Sequence, residues 1–215
     1  MLKKILKILL YFFWYLPGII FCFLVFRILN KTKISGKDNI PKKGGMLITV
    51  NHVSALDSWL IGHIFFPRMA FFPAKAELFR NPVLSPLLRG WGAFPVVRGR
   101  YNAGTMKRIT ELTKQNIVVI HPEGTRSRNG EIGKGSRGVG KIIYESNSLV
   151  IPVFIAGMEN FLPVGAIFPT FFKSLSINIG KAIDFSRYKK LEPSIETYTK
   201  IVDDLMEEIK KLKGD

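Results

Sequence analysis

A histidine and an aspartate stand five residues apart in Val50-Asn-His-Val-Ser-Ala-Leu-Asp-Ser-Trp59. A carboxylate held on the Nδ1–H of an imidazole fixes the tautomer and leaves Nε2 to accept a proton. A base of this kind contributes about 10²–10⁴ in rate. The same residues also read as a capping box, in which the Ser54 hydroxyl and the Asp57 carboxylate satisfy backbone N–H groups of a first helical turn. Residues five apart on a helix lie about 140° apart around its axis, so His52 and Asp57 cannot share one helical face. If they interact, His52 sits in a strand-to-helix loop and Asp57 reaches back from the first turn. No Gly-x-Ser-x-Gly accompanies them, so the proton would come from the substrate, an alcohol.

A second group with chemical potential is His121-Pro-Glu-Gly-Thr-Arg-Ser-Arg-Asn-Gly130, directly after the apolar run at 116–120. A glycine, a small hydroxyl and a cation at the carboxyl end of a strand suit a phosphate. Arg126 can grip phosphate oxygens in a bidentate way that lysine cannot reproduce. The competing reading is a tight loop in which Glu123 and Arg126 pair with each other. Arg98 and Lys75 each follow a short strand candidate, where a cation either holds a substrate or is simply solvated.

Strands alternating with helices must position these groups. Strand candidates are 46–50, 70–72, 92–97, 116–120, 149–156 and 174–180. Helices are expected from about Ser54 to Phe65, Asn81 to Trp91, Asn102 to Lys114 and Gly135 to Glu145. Pro193 to Leu212 closes the chain with Ile195, Tyr198, Val202, Leu205, Ile209 and Leu212 on one face, an amphipathic helix. This alternation argues an α/β fold, one domain with a mixed sheet flanked by helices.

The 215 residues carry a net charge of +16, which points to an anionic partner. They are also 47% apolar with 17 phenylalanines. For a nucleic-acid binder, clustered basic residues with interleaved aromatics and no long apolar anchor are expected. Here the basic residues are dispersed, so the charge favours anionic membrane lipids and argues against nucleic acid. The single cysteine, Cys22, excludes an intramolecular disulfide framework and a cysteine-clustered metal site.

Residues 8–26, ILLYFFWYLPGIIFCFLVF, form 19 positions without a charge, near the lower limit for a membrane span. Lys3, Lys4 and Lys7 precede the run and Arg27, Lys31, Lys33 and Lys37 follow it. Pro17-Gly18 in the middle favours a kink or turn. Basic residues on both sides suit a segment whose ends stay on the cytoplasmic face. The expectation is a bent, monotopic anchor over residues 1–34 and a globular domain over 35–215, with a kinked single span as the rival.

Two motifs are decoys. Gly133-Lys-Gly-Ser-Arg-Gly138 spells a dinucleotide-binding pattern, but polar loop stands where its strand is required. His63 has no His-Glu-x-x-His around it, so a zinc hydrolase has little support.

In this order, the elements resemble the lysophosphatidic acid acyltransferase family, within the glycerolipid acyltransferases. Asn51-His-Val-Ser-Ala-Leu-Asp57 looks like its histidine-four-residues-aspartate block. Gly92-Ala-Phe-Pro-Val-Val-Arg98 is similar to its glycine-to-arginine block. Pro122-Glu-Gly-Thr-Arg-Ser127 and Val150-Ile-Pro-Val153 resemble its third and fourth, and Lys75 in Ala-Lys-Ala-Glu-Leu a recurrent lysine. The likeness spans about residues 35 to 160. His121 departs from it, standing where an aromatic or aliphatic residue is common, and is expected to pack against the strand end.

The resemblance implies transfer of an acyl group from a thioester, acyl-CoA or acyl-carrier protein, to the sn-2 hydroxyl of 1-acyl-sn-glycerol-3-phosphate (lysophosphatidic acid). His52 would be the base, with Asp57 orienting it. Arg98, Glu123, Gly124, Thr125 and Arg126, with Lys75, would form the phosphate site. It implies no metal or other cofactor, and a location on the cytoplasmic face of the inner membrane. The alternatives are an acyltransferase acting on glycerol-3-phosphate or another lysophospholipid, and a non-catalytic basic protein of the membrane surface.

Overall fold

The computed structural model of the chain describes residues 11–97 and 103–214. Strands β1 (Lys33–Ser35), β2 (Met46–Val50), β3 (Ala70–Lys75), β4 (Ala93–Val96), β5 (Ile117–Ile120), β6 (Val150–Ala156) and β7 (Ser176–Ile179) form one sheet. Their order is β1-β7-β6-β2-β5-β3-β4. Every neighbouring pair is parallel except β6 with β7. The sheet is therefore mixed, as the alternating pattern implies.

Both faces are covered, which explains the unbroken apolar runs of the central strands. All residues of β2 and β5 are buried. Met46, Ile48 and Val50 face one core with Ile117 and Val119, while Leu47 faces the other with Val118 and Ile120. The second core is closed by three helices, α4 (Ala103–Thr113), α5 (Arg137–Ser146) and α7 (Ile195–Lys211). Helix α7 packs on α5 so closely that a Cβ at Gly140 would lie 1.9 Å from the Tyr198 carbonyl oxygen. Ser194 caps α7, accepting from the Thr197 N–H at 3.1 Å. Ile195, placed on the apolar face by periodicity, is instead 65% exposed, and the buried stripe begins at Thr197.

The first core is covered by α2 (Asp57–Gly62), α6 (Met158–Phe161) and the N-terminal helix. Helix α3 (Leu84–Gly90) stands beside β4. The N-terminal helix is continuous across its described length: π-helical at Tyr11–Tyr15, α-helical at Leu16–Cys22 (α1) and π-helical again at Phe23–Leu29. Pro17, which has no N–H to give, lies where the winding changes from π-helical to α-helical, and the helix continues past Pro17-Gly18, where a kink or turn is expected from the sequence.

One face of this helix, through Tyr15, Gly18, Cys22, Val25 and Phe26, is buried against the domain. A Cβ at Gly18 would meet the Trp91 indole at 2.3 Å, so only glycine permits this approach. Trp91 Nε1 donates to the Trp14 carbonyl at 2.8 Å. Strand β1 follows within a few residues and pairs with β7, so the boundary expected at residue 34 falls inside a strand of the sheet.

Candidate active site

The site lies where β2 and β5, adjacent and parallel, both end. The chain leaving β2 passes through α2 to β3 on one side of β5. The chain leaving β5 passes through α5 to β6 on the far side of β2. Connections diverging from neighbouring strands open a crevice at their carboxyl ends.

Asn51 continues β2 by using its side chain as a peptide unit. Its Nδ2 donates to the Ile155 carbonyl at 2.9 Å and its Oδ1 accepts from the Ile155 N–H at 2.8 Å. The residue before His52 is thus pinned to β6. The His52 imidazole then turns toward α2, with Nδ1 2.8 Å from Asp57 Oδ2. The same oxygen accepts from the Val53 and Ser54 N–H groups at 2.7 and 2.8 Å. Half of the capping box is present, since Asp57 reaches back to the Ser54 N–H. For the other half, the Ser54 oxygen accepts from the Leu56 N–H at 3.4 Å while its hydrogen goes to the Leu162 carbonyl at 2.9 Å. Helix α2 starts at Asp57, three residues later than expected from the sequence.

Asp57 is fully buried, and its Oδ1 accepts no hydrogen bond among the described residues. Burial pushes the carboxyl up to about 6, while the Ser54 and Val53 N–H groups pull it back. It is ionised at neutral pH, and a carboxylate facing Nδ1 keeps the proton of His52 on that nitrogen.

Sequence reasoning missed how His121 is used. Its ring stacks on that of His52, with centroids 3.9 Å apart and planes 12° apart. Its Nδ1 faces the Val50 and Asn51 carbonyls at 3.1 and 3.2 Å, so this nitrogen carries the hydrogen. Its Nε2 then accepts from the Ser58 hydroxyl at 3.0 Å. Burial lowers His121 to about 4, with the proximity of His52 lowering it further, so its ring is neutral at physiological pH. A histidine replacing an aromatic in front of Pro122-Glu-Gly-Thr-Arg was the available signal.

His52, Asp57 and His121 bring ligand-type atoms within 4.8 Å of one another. Imidazole lone pairs lie in the ring plane, so two rings stacked nearly parallel do not converge on one ion. Asp57 Oδ2, with three hydrogen bonds, is equally poorly placed as a ligand.

The 121–133 loop is tied to His52 from both sides. Ser127 N–H donates to the His52 carbonyl at 2.7 Å, and His52 N–H donates to Glu123 Oε1 at 2.8 Å. The other Glu123 oxygen accepts from Gly133 N–H at 2.8 Å. Glu123 therefore does not pair with Arg126. Both its oxygens are taken up in joining the loop to the His52 and Gly133 backbone. Burial raises its carboxyl, and the two N–H donors oppose that.

Gly124 adopts a φ of 71° in a turn closed by its N–H on the His121 carbonyl, and exposed Thr125 follows. Arg126 is half-buried and makes no hydrogen bond or ion pair among the described residues, one position from the bond to His52. Lys75 is exposed at the end of β3, opposite Val96. Arg98 lies outside the described residues.

A cleft of about 690 Å³ opens over the ends of β4 and β5. Its lining includes Val96, Met106, Ile109 and Val139 together with His121, Gly124, Arg137 and Lys141. The Gly133–Gly138 segment carries no nucleotide-type turn. It is loop until Ser136 caps α5, and its Ser136 N–H is held by the Pro122 carbonyl at 2.8 Å.

The fold is a mixed α/β sheet with an imidazole–carboxylate pair in the strand-to-helix loop at its carboxyl edge. Residues 31–156 match the family described as Acyltransferase, and the chain belongs to that family. A 1-acyl-sn-glycerol-3-phosphate acyltransferase of Borreliella burgdorferi is 28% identical over 186 residues, covering 85% of this chain and 72% of that one. A chloroplastic protein of the same description from Brassica napus is 30% identical over 140 residues, 63% of this chain and 40% of the relative. The crystal structure of the 1-acyl-sn-glycerophosphate (LPA) acyltransferase PlsC from Thermotoga maritima superimposes with a TM-score of 0.64 at 24% identity. It covers 86% of this chain and 73% of that one, and shares the fold.

Proposed function

We propose that the chain is a membrane-associated O-acyltransferase that moves an acyl group from a thioester to the hydroxyl of a lysophosphatidic acid. The observation that carries this is the His52–Asp57 bond in a loop also bonded to the Pro122–Ser127 turn. His52 Nε2 removes the acceptor's hydroxyl proton as the oxygen attacks the thioester carbonyl. The carbonyl carbon gains the new C–O bond and loses the C–S bond, and the thiolate leaves with the proton. Asp57 holds the ring and stabilises the imidazolium. His121, neutral and flat against His52, keeps that ring in plane without adding a competing positive charge.

Arg126, partnerless beside the base, fits the role of a phosphate anchor, aided by Lys75 and Arg98. Holding the phosphate converts encounter into a positioned attack. The donor is acyl-CoA or an acyl-carrier protein, with the cleft beside His121 as the place for its apolar part. The N-terminal helix keeps the enzyme at the bilayer. Its Phe12–Leu29 stretch is long and apolar enough to cross a membrane, with a mean hydropathy of 2.0. Since residues 14–26 lie along the domain, we read it as lying in the cytoplasmic leaflet with the domain alongside.

The test is a membrane assay of labelled acyl thioesters against lysophosphatidic acid, glycerol-3-phosphate and lysophospholipid diesters. Turnover is expected with lysophosphatidic acid first and to fall by about 10²–10⁴ in His52→Ala. Arg126→Ala should raise KM for the phosphorylated acceptor more than for the thioester. Full activity in His52→Ala, or equal KM changes in Arg126→Ala, would remove those assignments.

A further inference from the structure

Between Phe161 and Lys173 the chain turns large apolar side chains outward. Ile167 is 84% exposed, Phe168 82% and Phe172 80%. Side chains of this size gain free energy on leaving water, so three of them held in it are a substantial burden. Phe172 also holds a φ of 59°, a backbone region that aromatic residues rarely occupy.

The base of the loop is firmly built. Thr170 N–H donates to the Phe161 carbonyl at 2.7 Å, and the Phe171 ring packs edge-on against Phe161 at 6.0 Å. Lys173 N–H donates to Asn30 Oδ1 at 2.9 Å, and Asn30 caps the N-terminal helix. The loop therefore rises from the end of that helix, whose uncovered face presents Ile20, Phe21, Phe23, Leu24 and Ile28. Arg27, Lys31, Lys33 and Lys173 stand around this junction. An apolar projection ringed by cations matches an anionic lipid surface, with side chains in the acyl region and ammonium groups at the phosphates.

We propose that the 163–172 loop is a second membrane-inserting element, entering the same leaflet as the N-terminal helix. The proposal rests on the reading of that helix as a membrane anchor. It has a consequence for the site. The Ser54 hydroxyl holds the carbonyl of Leu162, the residue before the loop, so insertion fixes the His52 turn at the lipid–water boundary. The hydroxyl and phosphate of a lysolipid lie at that depth while its chain stays in the bilayer.

The experiment uses the full chain with Cys22→Ser, since Cys22 is its single cysteine. An environment-sensitive fluorophore is attached at Ile167→Cys, at Phe172→Cys or, on the helix, at Phe21→Cys. Vesicles of phosphatidylcholine and phosphatidylglycerol are added, with and without nitroxide on the acyl chains. Blue-shifted, nitroxide-quenched emission is expected at both loop positions and on the helix. Ile167→Ser with Phe168→Ser and Phe172→Ser should weaken vesicle binding by about tenfold or more. A responsive helix probe with silent loop probes overturns the loop proposal and leaves the anchor standing. Silence at all positions overturns both. Loop probes that respond to protein concentration without lipid identify a self-association surface and also overturn it.

Discussion

His52 and His121 are two imidazoles in contact with opposite surroundings. One faces a carboxylate, the other two carbonyls and a hydroxyl. That difference is why we propose His52 as the base and His121 as a positioning residue. Asp57→Asn keeps the volume but presents an amide to Nδ1, so kcat should fall by about 10²–10⁴ while the fold persists. In the unaltered enzyme, turnover should decline as pH falls through about 6, where Asp57 takes up a proton and loses its hold on the ring. His121→Phe retains a flat face against His52 and should keep most activity, whereas His121→Ala should lower kcat with little change in KM. Equal losses in the two variants would show that stacking is not what matters. The pair at 52 and 57 was legible because both partners lie within one loop and one helical turn. The part played by His121 was not, because it depends on β5 lying beside β2, which local spacing does not encode.

Among the elements, the 121–133 loop has its shape from Glu123 more than from its cations. Glu123→Gln replaces one acceptor oxygen with a donor that must face either the His52 N–H or the Gly133 N–H. A hydrogen bond of this kind contributes about 0.5–1.5 kcal/mol, so a lower Tm and a raised KM for both substrates are expected. A change confined to the phosphorylated acceptor would instead make Glu123 part of the phosphate site. Strands β2, β5 and β6 were readable because burial on both faces demands continuous apolar runs. Strand β1 was not. Its three residues, Lys-Ile-Ser, carry no pattern, and they become a strand only by pairing with β7, more than a hundred residues later. The start of α2 was misplaced because a Ser-x-x-Asp spacing does not say which residue opens the helix: the Ser54 oxygen accepts from the Leu56 N–H, and residues 54–56 form a turn ahead of Asp57.

For the whole molecule, acid is the condition that opposes the fold. Burial lowers both His63 and His121 to about 4 from 6.5. Their stabilising contribution is complete above the unfolded value and is lost as pH falls through about 4, on the order of 3 kcal/mol each. Asp57, raised by burial, acts in reverse: its contribution is complete below its unfolded value and is lost as pH rises through about 6. The two histidines outweigh it, so stability should drop between pH 6.5 and 4. His63 stacks on Phe26, its Nε2 has no partner, and His63→Phe should shift the acid-unfolding midpoint, followed by circular dichroism, to lower pH. An unmoved midpoint would place the acid sensitivity elsewhere.

Only Asn30, Lys31 and Thr32 separate the last helical turn from β1, and they are not slack. Thr32 donates both its N–H and its hydroxyl to the Phe26 carbonyl, and Arg27 donates to the Thr32 carbonyl. The apolar helix and the sheet are thereby geared together like a lever on a fixed axle. With this helix as the anchor proposed above, a thicker or more curved bilayer cannot be absorbed by stretching a tether; it must tilt the entire body and carry the proposed site to a different depth. Catalytic rate should therefore track the acyl-chain length of the host vesicle even when the substrates stay the same.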